Sequence, residues 1–179
     1  GRGMTEGPYE LPEGCRWVRL GEVCKVNPRR PRLARDDSAL TSFVPMSAVD
    51  EATGTVTELK TRPFAEVKSG YRYFQEGDVL FAKITPCMEN GKAAIARDLV
   101  DGFGYGSTEF HVLRACGDVV AEWVWFFVRR DRFRADAKAA FRGGVGQQRV
   151  PQEFLENYPI PLPPLPEQRR IVARIEAVS

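Results

Sequence analysis

Hydrophobic and polar positions change their rhythm about two-thirds of the way along the chain. Up to about residue 116 the apolar runs are short and bounded by turn residues. "YFQEGDVLFAKITP" (73–86) turns at Glu76-Gly77-Asp78 and then runs through Val79, Leu80, Phe81 and Ile84. That pattern predicts a mostly buried strand, stopped by Pro86. "GKAAIAR" (91–97) and "STEFHVLRA" (107–115) predict two more strands, the second alternating at Phe110 and Val112. "FVPMSAV" (43–49) predicts a strand or a strand-loop.

From residue 118 the period lengthens. Val119, Val120, Trp123, Phe126 and Phe127 recur at three- and four-residue steps. They predict a helix over 118–141 with Asp118 as its N-cap, its arginine-rich half either continuing it or opening a second helix. Gly143, Gly144 and Gly146 end it. "PQEFLEN" (151–157) reads as a short helical turn, and "YPIPLPP" (158–164) as an extended lead into a final helix. The fold class is therefore α+β: short, mostly antiparallel strands, a C-terminal helical part, and then the start of a long helix. No internal repeat or low-complexity segment interrupts it.

A chain of 179 residues with 43% hydrophobic and 28% charged positions suits one globular domain plus an appendage. "GRGM" reads as a vector-derived scar ahead of Met4. The expected division is residues 1–8 as scar and flexible N terminus, 9–164 as the domain, and 165–179 as the start of the helix. No apolar run reaches membrane-spanning length and no signal peptide opens the chain, so a cytoplasmic location is expected. Cys15, Cys24, Cys87 and Cys116 lack CxxC spacing, and His111 is the one histidine. Reduced, mostly buried thiols are expected rather than a zinc site.

Net charge is only +2, but it is unevenly distributed. Arg16, Arg19, Lys25, Arg29, Arg30, Arg32 and Arg35 face a single acid, Glu22, within one short stretch. A second basic run is "RRDRFRADAKAAFR" (129–142). Arginine's planar fork suits phosphate oxygens and guanine edges, whereas a solvated, salt-bridged face is the plainer meaning of such a run.

Catalytic signatures are missing. Asn27-Pro28 is followed by Arg29, which breaks the Asn/Asp-Pro-Pro-aromatic motif of nucleic-acid amino-methyltransferases. No phosphate loop is present. Gly102, Gly104 and Gly106 alternate, but here GxGxG precedes a strand and lacks the helix of a dinucleotide site. Asp50, Glu66 and Lys68 loosely match a metal-dependent nuclease. The chain reads as a binder.

The C-terminal third, "GQQRVPQEFLENYPIPLPPLPEQRRIVARIEAV", resembles a junction in the specificity subunits of type I restriction–modification systems. There a Gly/Gln loop, a short helix, an extended Ile-Pro-Leu-Pro-Pro segment and Glu-Gln-Arg-x-Ile lead from a target recognition domain into a conserved spacer helix. Gly146, Gln148, Val150, Leu155, Ile160, Pro161, Leu162, Pro163, Pro164, Leu165, Glu167, Gln168, Arg169 and Ile171 match it. "WVRLGEVCKV", "GDVLFAKITPCMENGKAAIA" and "STEFHVLR" agree in the same order, so the resemblance covers residues 16–179. It implies a non-catalytic module that recognises one half of a split double-stranded DNA site. It also implies methyltransferase subunits as partners and, through them, a restriction subunit. No cofactor belongs to the module; S-adenosylmethionine, ATP and Mg would belong to the partner subunits. One recognition domain and only the first turns of one spacer helix are present. A trimmed domain, a half-length subunit with a second half as partner, and the same module from a fused single-chain enzyme are the readings left open.

Members sharing a scaffold read different sequences, so base readers belong where the shared pattern is loose. That points to loops near 27–37, 50–62, 85–92 and 101–107. The candidate DNA contacts are Arg29, Arg30, Arg32, Arg35, Lys60, Arg62, Lys83, Asn90, Lys92, Gln147, Gln148 and Arg149. Within the last group, Gln148 and Arg149 lie on the shared junction and are expected to grip phosphate rather than bases. Along the final helix Ile171, Ile175 and Val178 form a stripe at i, i+4 and i+7. With Arg169 and Val172 they are the candidate subunit interface.

Overall fold

The computed structural model describes residues 6–178. The "GRGM" segment lies outside the described residues. Gly7 and Tyr9 already lie against Trp17: a Cβ on Gly7 would come within 1.9 Å of that ring, and Tyr9 meets it edge-on at 4.9 Å.

The chain enters through β1 (Arg16–Arg19), the one-turn helix α1 (Leu20–Val23) and β2 (Cys24–Val26). After a long loop come β3 (Leu40–Val44), the short hairpin β4 (Val49–Asp50) and β5 (Thr55–Val56), β6 (Lys60–Pro63) and α2 (Phe64–Val67). β7 (Arg72–Gln75), β8 (Val79–Ala82), β9 (Ala93–Ile95), β10 (Phe103–Gly106) and β11 (Phe110–Ala115) complete the strand-rich part. The helical part is α3 (Ala121–Val128), α4 (Asp131–Ala139) and α5 (Gln152–Asn157). β12 (Pro159–Leu162) and α6 (Leu165–Val178) follow it.

Two four-stranded sheets form the centre, in the orders β6-β3-β10-β7 and β2-β11-β8-β9. All their pairings are antiparallel except β3 with β10. β8 reads Val-Leu-Phe-Ala without a polar interruption because both of its faces are covered. Leu80 points with Phe74, Phe110 and Val112 into the layer between the sheets. Val79 and Phe81 point the other way, into the helices, where Trp123, Phe127, Phe133 and Leu155 receive them. The outer face of the first sheet is covered by α2 and the 27–39 loop through Phe64, Val67 and Leu33. β12 returns to pair with β1, which ties the extended proline segment to the N terminus.

Three expectations need correction. The alternating glycines precede β11 but are not a loop ahead of it; Gly104 and Gly106 are themselves part of β10, at the centre of its sheet. A Cβ on Gly106 would lie 2.4 Å from the Val44 carbonyl oxygen, and one on Gly104 would lie 2.9 Å from that of Ser42. Glycine is what allows the parallel partner to approach this closely. Asp118 is not a helix cap, since α3 begins at Ala121 and breaks from α4 around Arg129 and Arg130. A distant side chain fixes the chain where it enters the helix instead. Gln168, fully buried on α6, accepts from the Val120 N–H at 3.0 Å and donates to the Asp118 carbonyl at 2.7 Å and the Pro163 carbonyl at 2.8 Å. Of the four thiols only Cys24 is buried, and burial pushes its pKa up to about 12.

Candidate nucleic-acid interface

Strand register sorts the loops between two ends of the sandwich. Val44, Gly106 and Arg72 stand side by side across three strands of one sheet, with Lys60 beside Phe43 on the fourth. Ala82 and Phe110 are paired in the other sheet, and the 107–109 turn joins the two. The loops at 45–59, 68–71, 83–92 and 107–109 therefore share one end. The 142–150 loop joins them there through Thr85 N–H to the Gln148 carbonyl (3.1 Å) and Val150 N–H to the Lys83 carbonyl (2.9 Å). The opposite end carries the β7–β8 turn and residues 96–102. That turn is locked by Asp78, which takes a bidentate ion pair from Arg114 (3.0 and 2.8 Å) and the Gln75 N–H.

The candidate residues divide accordingly. Lys60, Asn90, Gln147 and Gln148 are exposed at the shared end. Arg29, Arg30 and Arg32 are exposed on the loop that leaves it, and Arg30 donates to the Lys68 carbonyl. Lys92 sits at the same end but reaches the Met46 carbonyl at 3.3 Å. Arg62 lies on the edge strand β6 with its guanidinium 4.2 Å from the Phe43 ring centre.

Arg35 is elsewhere. The 27–39 loop crosses the outer sheet face, so Arg35 ends at the far end, bonded to Thr41 Oγ1, the Leu40 carbonyl and Asp101, and stacked on Phe103. The 101–107 segment is split in the same way, with Asp101 at the far end and Gly106 at the near one. Arg149 is at the near end but is engaged: its guanidinium makes two bonds to Glu109 (2.8 and 2.9 Å) and one to the Gln147 carbonyl (3.0 Å). Those bonds hold the Glu109 carboxyl below its usual pKa. Asp50, Glu66 and Lys68 are not assembled into a nuclease centre. Asp50 closes its own turn on Thr53, Glu66 sits on α2 over the outer sheet face, and Lys68 pairs with Asp37 at 3.0 Å. Among the described residues no group of three ligating side chains is placed to hold a metal ion.

The model of the type I restriction modification DNA specificity domain matches residues 12–179. This chain belongs to that family. It is 40% identical over 168 residues to the type I restriction enzyme EcoEI specificity subunit of Escherichia coli, covering 93% of this chain and 28% of that protein. The EcoAI specificity subunit of the same organism is 39% identical over 170 residues, again with 28% of its length covered. Among solved structures, the HsdS subunit from Thermoanaerobacter tengcongensis superposes with a TM-score of 0.78 at 36% identity, over 98% of this chain and 44% of that one. A structure described as the basis of complex assembly and conformational transition of the type I R-M system gives 0.76 at 35% identity, over 96% and 43%. The chain thus spans under a third of these curated relatives and under half of these solved neighbours.

Several residues that organise this specificity domain were not anticipated. Arg129 bonds the carbonyls of Glu51, Ala52 and Gly91, and Arg134 bonds those of Glu89 and Arg129. Trp125 bonds those of Gly54 and Ala93. Two arginines of the second basic run, Arg129 and Arg134, therefore fasten the near-end loops from behind. Asn27, at φ 51°, donates to His111 Nδ1 (3.0 Å) and to Gln152, and accepts from the Val112 N–H. With Nδ1 accepting, His111 Nε2–H donates to the Val150 carbonyl at 2.7 Å. Burial pushes the His111 pKa down to about 4, so it is the neutral ring that holds the root of the 142–150 loop.

The helix stripe is only partly outward. Val172 is buried in this domain's own core and Ile171 packs against it. Ile175 lines a cavity of about 910 Å³ with Trp125 and Phe126. Arg169 is exposed, and the Val178 side chain lies outside the described residues.

Proposed function

We propose that this chain recognises one half of a split double-stranded DNA target, as the target recognition domain of a type I specificity subunit. The observation that carries the reading is the register. It gathers loops of unlike sequence at one end of the sandwich, those at 68–71, 83–92 and 142–150 carrying Arg, Lys, Asn or Gln, in a domain that belongs to the DNA specificity family. Arg29, Arg30 and Arg32 are exposed and would read guanine edges, and the exposed Asn90 and Gln147 would read adenine. Gln148, whose carbonyl is bonded to Thr85 N–H, and Lys60 serve the backbone. The chain does no chemistry itself. S-adenosylmethionine, ATP and Mg²⁺ belong to methyltransferase and restriction subunits, recruited through α6. A cytoplasmic location follows from that partnership; no helix among the described residues is long and apolar enough to cross a membrane.

The test is selection of bound sequences from random duplex DNA, followed by binding to matched and single-mismatch duplexes across a salt series. A short enriched motif and a steep salt dependence are expected. Arg29→Ala, Arg30→Ala or Arg32→Ala should cost about 1–3 kcal/mol at one base pair only. Gln148→Ala should weaken all duplexes alike. No enrichment and no salt-dependent binding would end the proposal.

A further inference from the structure

Among the described residues, two half-buried cations at the near end, Lys83 and Arg72, form no ion pair. Lys83 follows β8, and its backbone is held on both sides: its N–H donates to the Glu109 carbonyl and its carbonyl accepts from the Val150 N–H, each at 2.9 Å. Its side chain makes no hydrogen bond among the described residues, and it is only half-buried. Arg72 opens β7 on the other sheet, opposite Gly106, and its Nε is buried with no hydrogen-bond partner. Each positive charge raises the potential at the other. Burial first, and the Arg72 charge next, lower the pKa of Lys83. The one acid among them, Glu109, is occupied by Arg149 through both oxygens. His111, packed behind, is neutral and adds no compensating charge.

A pair of like charges from two sheets, beside a carboxylate already neutralised, is an arrangement that an anion stabilises. The pair flanks the 107–109 turn that joins the sheets, Arg72 opposite Gly106 and Lys83 bonded to Glu109, where a DNA backbone would pass if the near end faces the duplex. We infer that Arg72 and Lys83 together seat one backbone phosphate of the DNA, and that Glu109 is a positioning residue that keeps Arg149 in the wall of this seat. The inference rests on the DNA reading above. It transfers the phosphate contact expected of Arg149 to two residues on the other side of Glu109. Phosphate contacts of this kind fix register on the duplex and carry no sequence information.

The experiment measures fluorescence anisotropy of a labelled duplex against the 179-residue chain from low to moderate salt. The variants are Arg72→Met, Lys83→Met, their combination, Lys83→Arg and Glu109→Gln, with Lys138→Gln on the exposed face of α4 as control. The double variant should lower the slope of log K against log salt by about one, equally for preferred and unrelated duplexes. Lys83→Arg should restore the slope, which separates lost charge from a damaged fold. Glu109→Gln, which frees Arg149, should leave the slope unchanged or steeper. An unchanged slope in the double variant, with wild-type binding intact, overturns the phosphate seat while the DNA reading stands. Loss of preference at a single base pair in Lys83→Met overturns it too, by making Lys83 a base reader. Absence of salt-dependent binding by the unmodified chain overturns both.

Discussion

Replacing Gln168 by leucine keeps the volume of the side chain and removes its polar end. The change leaves the Val120 N–H and the carbonyls of Asp118 and Pro163 without the partner they have in the fold. A buried polar group stripped of its partner costs about 1–3 kcal/mol. The three are not equally buried, because Asp118 is exposed and water can reach its carbonyl, whereas the bond to Pro163 is buried. Counting one full penalty and two reduced ones gives about 3 kcal/mol. For a chain of this size, 1 kcal/mol moves the unfolding midpoint by about 2–4 °C, so Gln168→Leu should lower Tm by roughly 10 °C. The loss should be local as well as global. The Val120 amide should exchange with solvent faster than the amides in the middle of α3, because its acceptor is gone while the helix keeps its own bonds. Thermal unfolding followed by circular dichroism and amide exchange read by NMR give the two numbers. A Tm within about 2 °C of the parent, with Val120 still protected, would refute the idea that this side chain joins α6 to the start of α3.

Stability should fall as pH drops from about 6.5 toward 4, because the unfolded His111 gains a proton that the folded one refuses. The full difference is about 3 kcal/mol at 1.36 kcal/mol per unit, and a His111→Gln variant should show a flatter denaturant midpoint over that window; an identical slope would count against the neutral tautomer. Gly106→Ala should cost about 3 kcal/mol or abolish soluble expression, since its Cβ would meet a backbone oxygen at 2.4 Å that no rotamer can move; parent-like urea unfolding would contradict this. Asp78→Asn should cost about 3 kcal/mol, because it leaves Arg114 facing a neutral amide at a site where the aspartate is only 2% exposed. A Tm unchanged at pH 7 would show the pair to be dispensable.

The pattern of apolar positions made β8, β9, β11 and the C-terminal helices legible, because each carries its own periodicity, and in "FVPMSAV" it caught the end of β3 (Leu40–Val44). It did not reveal β6, β7 or β10. β10 reads Phe-Gly-Tyr-Gly, and its glycines are explained only by Ser42 and Val44 on a strand sixty residues earlier. The anchor at the start of α3 was hidden for the same reason: Asp118 has the right chemistry in the right place, but the bond that matters comes from Gln168. At the candidate site, loop composition found most of the near-end residues. It could not tell that the 27–39 loop crosses a sheet face and delivers Arg35 to the other end. Nor could it separate Arg149, spent on Glu109, from Arg72, a single arginine in "YRYF" whose only signal was its polarity between aromatic neighbours.

Arg129, Arg134 and Trp125 hold the near-end loops by the carbonyl oxygens of Glu51, Ala52, Gly54, Glu89, Gly91 and Ala93. A carbonyl is the same whichever residue bears it. The scaffold therefore grips these loops without reading them, and the side chains at 51 and 52 are free to drift while the loop stays where it is, whereas Glu89 is also held by its side chain, which accepts from Thr85 Oγ1 at 2.7 Å. Gly54, at φ 66°, and Gly91, at φ 88°, are the exceptions, since few other residues accept that backbone. An arrangement of this kind lets a lineage change what it reads without rebuilding what holds the reader, and it marks the segments on which loop grafting between relatives should be tried first.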